Sequence, residues 1–111
     1  MLTIDSLREF GAEVEEGLVR CLNKEDFYLM LVSKAREDNK LTQLAEQLKE
    51  KRLDEAFETA HALKGMYANL SLTPLAAPIS VMTEMLRNRT DTDYSALMQE
   101  ALRQFEKLCR L

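Results

Sequence analysis

Much of what builds an extracellular, metal-dependent or hydrolytic domain is scarce in this chain. Its 111 residues include one histidine, two cysteines, three glycines, two prolines and no tryptophan. Cys21 and Cys109 form neither a CxxC pair nor a metal-ligand spacing, and a single histidine leaves a structural zinc site without a ligand set. Both cysteines are expected to act as small, partly buried hydrophobes in a reducing compartment. No apolar run approaches the ~20 residues that span a bilayer, and "MLTIDSLREF" lacks a charged segment followed by an apolar one. A cytoplasmic location without membrane association is therefore expected. The net charge is −4, and nucleic acid is not an expected partner. Basic residues are scattered except for Lys49, Lys51, Arg52 and the pair Arg87 and Arg89, which read as solvated faces or helix ends. No Gly-rich phosphate loop and no clustered acid–base pair are present, so hydrolase and metalloenzyme readings have nothing to build on.

What remains is helical pattern. No segment alternates with the period of a half-buried strand, and the fold class expected is all-α. The spacing predicts one domain over 1–111, an antiparallel up-down four-helix bundle preceded by one or two short N-terminal helices within about 3–22. Thr3 reads as an N-cap and Gly11 as the stop of the first short helix. "AEVEEGLVRCL" follows, with Val14, Leu18 (or Val19) and Leu22 on one side. Bundle helices are expected at about 24–50, 53–70, 74–88 and 91–110. Asn23 is the expected cap of the first, which carries a potential irregularity near Asn39. Thr73 and Pro74 suit a helix start, Pro78 implies a later start or a bend, and Thr90 or Asp93 is expected to cap the last helix. The methionines Met66, Met82, Met85 and Met98 recur at helical spacing and read as core filling.

The one histidine lies in "ETAHALKGMYANL". With His61 at 0° and a step of about 100° per residue, Ala56, Thr59, Leu63, Met66 and Leu70 fall within about 45° of the opposite side, with Tyr67 slightly beyond. His61 is thus expected on the outer face, among Asp54, Phe57, Glu58, Lys64, Gly65 and Ala68. Gly65 is poor helix chemistry, costing about 1 kcal/mol relative to Ala, and leaves open space one turn from the imidazole. Lys64 can bring an ammonium to an anion held by the imidazole. Phe57 is an apolar residue on a polar face and reads as an anchor at the rim.

"AHALKG" resembles the signature of histidine-containing phosphotransfer (HPt) domains, in which a helical His-x-x-Lys-Gly segment carries the phosphorylated histidine. "VEEGLVRC" with "EDFYLMLV" is similar to the N-terminal helices of single-domain bacterial members. "LDEAFETAHALKG" resembles the approach to the histidine, and "ANLSLTPL" the exit from its helix, so that residues ~12–108 can be laid on the family pattern. The resemblance implies a phosphorelay intermediate, with His61 as phosphoryl acceptor and donor through Nε2. Lys64 would then neutralise the phosphoryl group, and Gly65 would leave room for the partner. Asp54, Phe57, Glu58 and Ala68 would form the partner surface. It further implies no kinase or ATPase activity and no cofactor of its own, Mg²⁺ belonging to the partner receiver domain. The partners would be a response-regulator receiver, a histidine kinase, or both, and the protein a monomer. Attack requires a neutral imidazole, the side chain whose charge changes near neutral pH. Three positions depart from the pattern. Ser71 stands where many members have glycine, so the chain is expected to leave the helix without a left-handed residue. Tyr67 replaces a small residue, and "KEKRL" lacks the usual Gly or Asp before the histidine helix.

Two other readings compete. One keeps the fold as a non-phosphorylated helical adaptor that binds a signalling partner through the His61 face. The other is an unrelated helical scaffold or oligomerisation module, in which His61 would be buried between copies.

Overall fold

The computed structural model describes every residue from Met1 to Leu111, and all regular structure in it is helical. The chain runs α1 (Ile4–Phe10), α2 (Val14–Arg20), α3 (Glu25–Glu37), α4 (Lys40–Lys49), α5 (Leu53–Asn69), α6 (Thr73–Arg87) and α7 (Ser95–Cys109). Thr3 does cap α1: its hydroxyl accepts from the Ser6 N–H at 3.0 Å, and Ser6 Oγ accepts from the Thr3 N–H at 2.9 Å. Gly11 ends that helix at φ 108°, in the left-handed region that its missing Cβ makes accessible.

The expected helix over 24–50 is two helices. Asp38 is extended at ψ 138°, and its carboxylate accepts from the Lys40 N–H and from Lys40 Nζ, each at 2.8 Å. A short acidic side chain competing for backbone N–H groups breaks a helix in this way. The Asn23 cap is also corrected. Leu22 and Asn23 both adopt left-handed φ, near 58° and 56°, and Lys24 precedes α3 without a side-chain cap. The same turn takes Leu22 out of α2, and it is exposed rather than aligned with Val14. Thr73 is the first residue of α6 rather than its cap, with Pro74 in the first turn and Pro78 inside the helix. Asp93 precedes Tyr94, yet its carboxylate accepts from the Ser95 N–H at 2.9 Å and so supports the start of α7.

Contacts between distant residues set the direction of each helix. Tyr28 in α3 donates from Oη to the Leu70 carbonyl at 2.7 Å, at the end of α5. Arg36 reaches the Leu108 and Cys109 carbonyls at the end of α7, while Lys51, after α4, pairs with Asp91, before α7. The α3–α4 stretch is therefore antiparallel to both α5 and α7, and α6 returns between them. This is an up-down four-helix bundle, with α1 and α2 preceding it.

The core is a cluster of 23 buried apolar residues, to which α5 gives Ala56, Ala60, Leu63 and Tyr67. Met82 and Met98 are buried, and Met66 and Met85 pack against the core from partly exposed positions. Cys21 is buried as expected, whereas Cys109 is exposed. Tyr67 fills space where a smaller residue was expected. Burial raises its phenol, and the Asp38 carboxylate adds to the shift.

The end of α5 departs most from expectation. Ser71 takes the left-handed conformation despite its Cβ, at φ 55°. Its N–H reaches the Ala68 carbonyl and the next N–H, from Leu72, reaches back to Tyr67, closing the helix as a glycine would. The N-terminal helices stabilise this exit. Arg20 Nη1 donates to Ser71 Oγ at 2.7 Å and to the Ala68 and Asn69 carbonyls at 3.2 and 3.4 Å. The Glu13 N–H donates to the Ser71 carbonyl at 2.9 Å, and Tyr28 takes the Leu70 carbonyl. No basic residue lies in the last turn of α5, so Arg20 supplies from α2 the positive charge that favours a helix C-terminus.

Candidate functional site

The buried residues of α5 are Ala56, Ala60, Leu63 and Tyr67, followed by Leu70. Their mean direction is rotated roughly 40° from the stripe that periodicity alone predicts, toward Ala60 and away from Met66. The outward face turns by the same amount and is centred near Asp54, Glu58, His61 and Gly65, all four exposed. Phe57 and Lys64 move to the flank and are only partly exposed. That flank faces α6, and both side chains find partners there.

Phe57 lies beside His61, with ring centroids 5.7 Å apart and planes inclined by 29°. The guanidinium carbons of Arg87 and Arg89 each lie 5.1 Å from the Phe57 centroid. Such cation–π contacts contribute about 0.5–1 kcal/mol each at exposed sites. Arg89 is also paired with Asp54 across the helices. Phe57 is thus in contact with the imidazole and with two arginines rather than a free apolar anchor. Lys64 Nζ lies 3.5 Å from Glu84 Oε2, and Glu84 also accepts from Arg87 Nε at 3.3 Å. The Arg87 guanidinium, followed by the Lys64 ammonium, holds the Glu84 carboxyl below its ordinary range.

A Cβ built on Gly65 would meet nothing within 4 Å. The space beside His61 that the sequence implies is therefore open, and no packing contact explains why glycine stands there. Ala68 continues this low surface toward a shallow groove between α2 and the α5–α6 pair, lined also by Arg20, Ala76 and Ala77. Glu58, one turn before His61, projects to solvent on the same face. The largest cavity, about 680 Å³, lies elsewhere, between the end of α4 and the start of α7. None of His61, Lys64 or Gly65 lines it, and His61 and Gly65 lie exposed on the surface of α5.

The structure brings together Asp54, Phe57, Glu58, His61, Lys64 and Gly65, and leaves Ala68 at the margin. It adds three residues that sequence reasoning missed: Glu84, Arg87 and Arg89. The only sequence signal for them was the Arg87 and Arg89 pair, which reads as an ordinary solvated helix end until α6 is packed against α5. No group of three or more His, Cys, Asp and Glu side chains is arranged to hold a metal ion. No helix is long and apolar enough to cross a membrane.

The family model of the Hpt domain matches residues 26–110, and the chain belongs to that family. Neither the curated proteins nor the solved structures gave a match. Family membership carries a general role in histidine phosphotransfer within phosphorelays, as a carrier rather than a kinase or ATPase. Members interact with response regulators and histidine kinases. The matched stretch begins inside α3, so α1 and α2 precede it, and with them Glu13 and Arg20, which bond to the exit of α5.

Proposed function

We propose that this protein is a phosphorelay intermediate that accepts a phosphoryl group on His61 and returns it, exchanging it with the receiver aspartate of a response regulator or with a histidine kinase. The observation that carries this reading is the pairing of an exposed imidazole with empty space at Gly65 on the same face. A nucleophile buried in the core could not meet an aspartate on another protein. One ringed by large side chains could not approach it closely enough to react.

The roles follow from position. His61 attacks through Nε2 as a neutral imidazole. Lys64, one turn along α5, neutralises charge on the phosphoryl oxygens, and Arg87 and Arg89 extend the positive field from α6 and the segment after it. Gly65 leaves the approach clear. Asp54, Phe57, Glu58 and Ala68 border the surface on which the partner rests. The chain contributes a positioned nucleophile and local charge, while the partner receiver supplies the Mg²⁺ and the reacting carboxylate. In this reading the protein is a cytoplasmic monomer, and a copy packed over His61 would block the partner.

The test is phosphoryl uptake from a phosphorylated receiver domain, with His61→Gln as control. Acid-labile, alkali-stable label on the wild type and none on the variant is the expected result. Binding of a receiver without any label would refute the phosphotransfer reading in favour of an adaptor.

A further inference from the structure

Lys64, one turn from His61 on α5, and the two arginines that flank Phe57 are already engaged. Glu84 Oε2 lies 3.5 Å from Lys64 Nζ, and the same carboxylate accepts from Arg87 Nε at 3.3 Å and Nη2 at 3.4 Å. Arg89 is held separately by Asp54. Glu58 adds a further negative charge on α5, without an ion-pair partner nearby. One carboxylate on α6 therefore occupies two of these three cations. With its partners holding it below the ordinary carboxyl range, it is ionised at neutral pH.

We propose that Glu84 sets the phosphoryl-transfer potential of His61, competing with the phosphoryl group for Lys64 and Arg87 and placing a fixed negative charge beside the phosphorylated state. This rests on the reading of His61 as the phosphoryl acceptor. During transfer from a receiver aspartate, the acyl-phosphate P–O bond breaks and its electron pair returns to the carboxylate. The lone pair of the imidazole nitrogen forms the new P–N bond. No proton enters or leaves: the ring keeps its other N–H and becomes cationic, so the phosphorylated side chain carries one net negative charge and total charge is conserved.

What changes is where the phosphoryl dianion sits. Before transfer Glu84 is balanced by Lys64 and Arg87. After transfer two anionic groups share those cations, and the phosphorylated protein lies higher in free energy relative to the receiver acyl phosphate than it would without Glu84. A carrier gains from this arrangement, because a phosphoryl group held too firmly is not passed on. Glu84 makes no bond in the reaction. It acts through Lys64 and Arg87, as a positioning and tuning residue.

The experiment measures the equilibrium between phosphorylated receiver and phosphorylated protein, for wild type, Glu84→Gln and Glu84→Asp. The receiver is a purified domain charged with acetyl phosphate. Glutamine keeps the length of the side chain and an oxygen that accepts from Lys64, but removes the charge. The expected result is a two- to fivefold shift toward phospho-His61 in Glu84→Gln, about the size an exposed charge pair supports. Aspartate should stay near wild type. The shift should shrink as salt is raised, because these groups are exposed and screened, a dependence that a purely structural role would not produce. No shift, or a shift toward the receiver, overturns the proposal even when the wild type is labelled normally.

If no receiver labels the wild type, that partner reading fails on its own account. His61 is then charged with phosphoramidate, and the lifetimes of the phosphorylated forms are compared. A longer lifetime in Glu84→Gln supports the role of Glu84. Equal lifetimes, or a wild type that phosphoramidate also leaves unlabelled, overturn it.

Discussion

Replacing Gly65 with alanine should move stability and activity in opposite directions. Gly65 lies inside α5, with ordinary helical backbone and nothing within 4 Å of where a Cβ would sit. The fold loses no contact and gains helix propensity, about 0.8–1 kcal/mol for Gly→Ala in a helix interior. For a chain of 111 residues the entropy of unfolding is about 0.23 kcal/mol/K, so the melting temperature should rise by about 4 °C. The added methyl stands one turn from His61, on the face a partner must approach. A displacement of about 1 Å between reacting groups costs on the order of a hundredfold in rate, and a tenfold or greater fall in phosphoryl uptake is expected. Calorimetry and a time course of labelling from a phosphorylated receiver measure the two effects on one preparation. A variant that is more stable and transfers at the wild-type rate would falsify the access argument. A variant that melts lower would show that the space beside His61 is not empty. Most substitutions that impair a site through misfolding lower both quantities together, so the opposite signs are what make this result diagnostic.

Gly17 presents the contrasting case, a glycine required by packing. A Cβ there would stand 2.7 Å from Tyr28 Cε1 and 2.8 Å from both Cζ and Oη. Gly17→Ala should therefore destabilise the protein by about 1–3 kcal/mol, partly offset by helix propensity, as read by urea unfolding. Tyr28→Phe should relieve this only in part, because the clash includes ring carbons. A neutral Gly17→Ala would show that Tyr28 moves freely. Acid should loosen the α3–α4 joint. Burial tends to raise the Asp38 carboxyl, but the Lys40 side chain and N–H more than offset it and the net shift is downward. Its contribution is complete above the unfolded value of about 3.9 and is lost as pH falls through the lower folded value. The stability difference between wild type and Asp38→Asn should consequently be constant near neutrality and shrink below about pH 4. A difference that grows on acidification would reverse the sign of the argument.

Helical periodicity, scarce glycine and proline, and absent strand alternation were enough to indicate an all-helical bundle. They place His61 opposite the core because that information is local: it depends only on how side chains step around one helix. The same holds for Gly65, whose missing side chain is legible wherever the helix packs. Capping was less legible. Thr3 behaves as its hydroxyl suggests, but Asn23 and Thr73 do not cap, since the chain direction there is set by α2 meeting α3 and by the exit from α5. Ser71 illustrates the limit further. Its Cβ argues against the left-handed region, and only Arg20, Glu13 and Tyr28, distant in sequence, make that conformation favourable.

The sequence by itself determined the chemistry available: one exposed imidazole, a lysine one turn away and an open approach, all from a single helix. The tertiary structure decided the electrostatics around that imidazole. Which carboxylate holds Lys64, and which arginines cover Phe57, depends on the packing of α6 against α5. That packing follows from how buried side chains on both helices interlock, a many-body outcome that the periodicity of either helix does not contain.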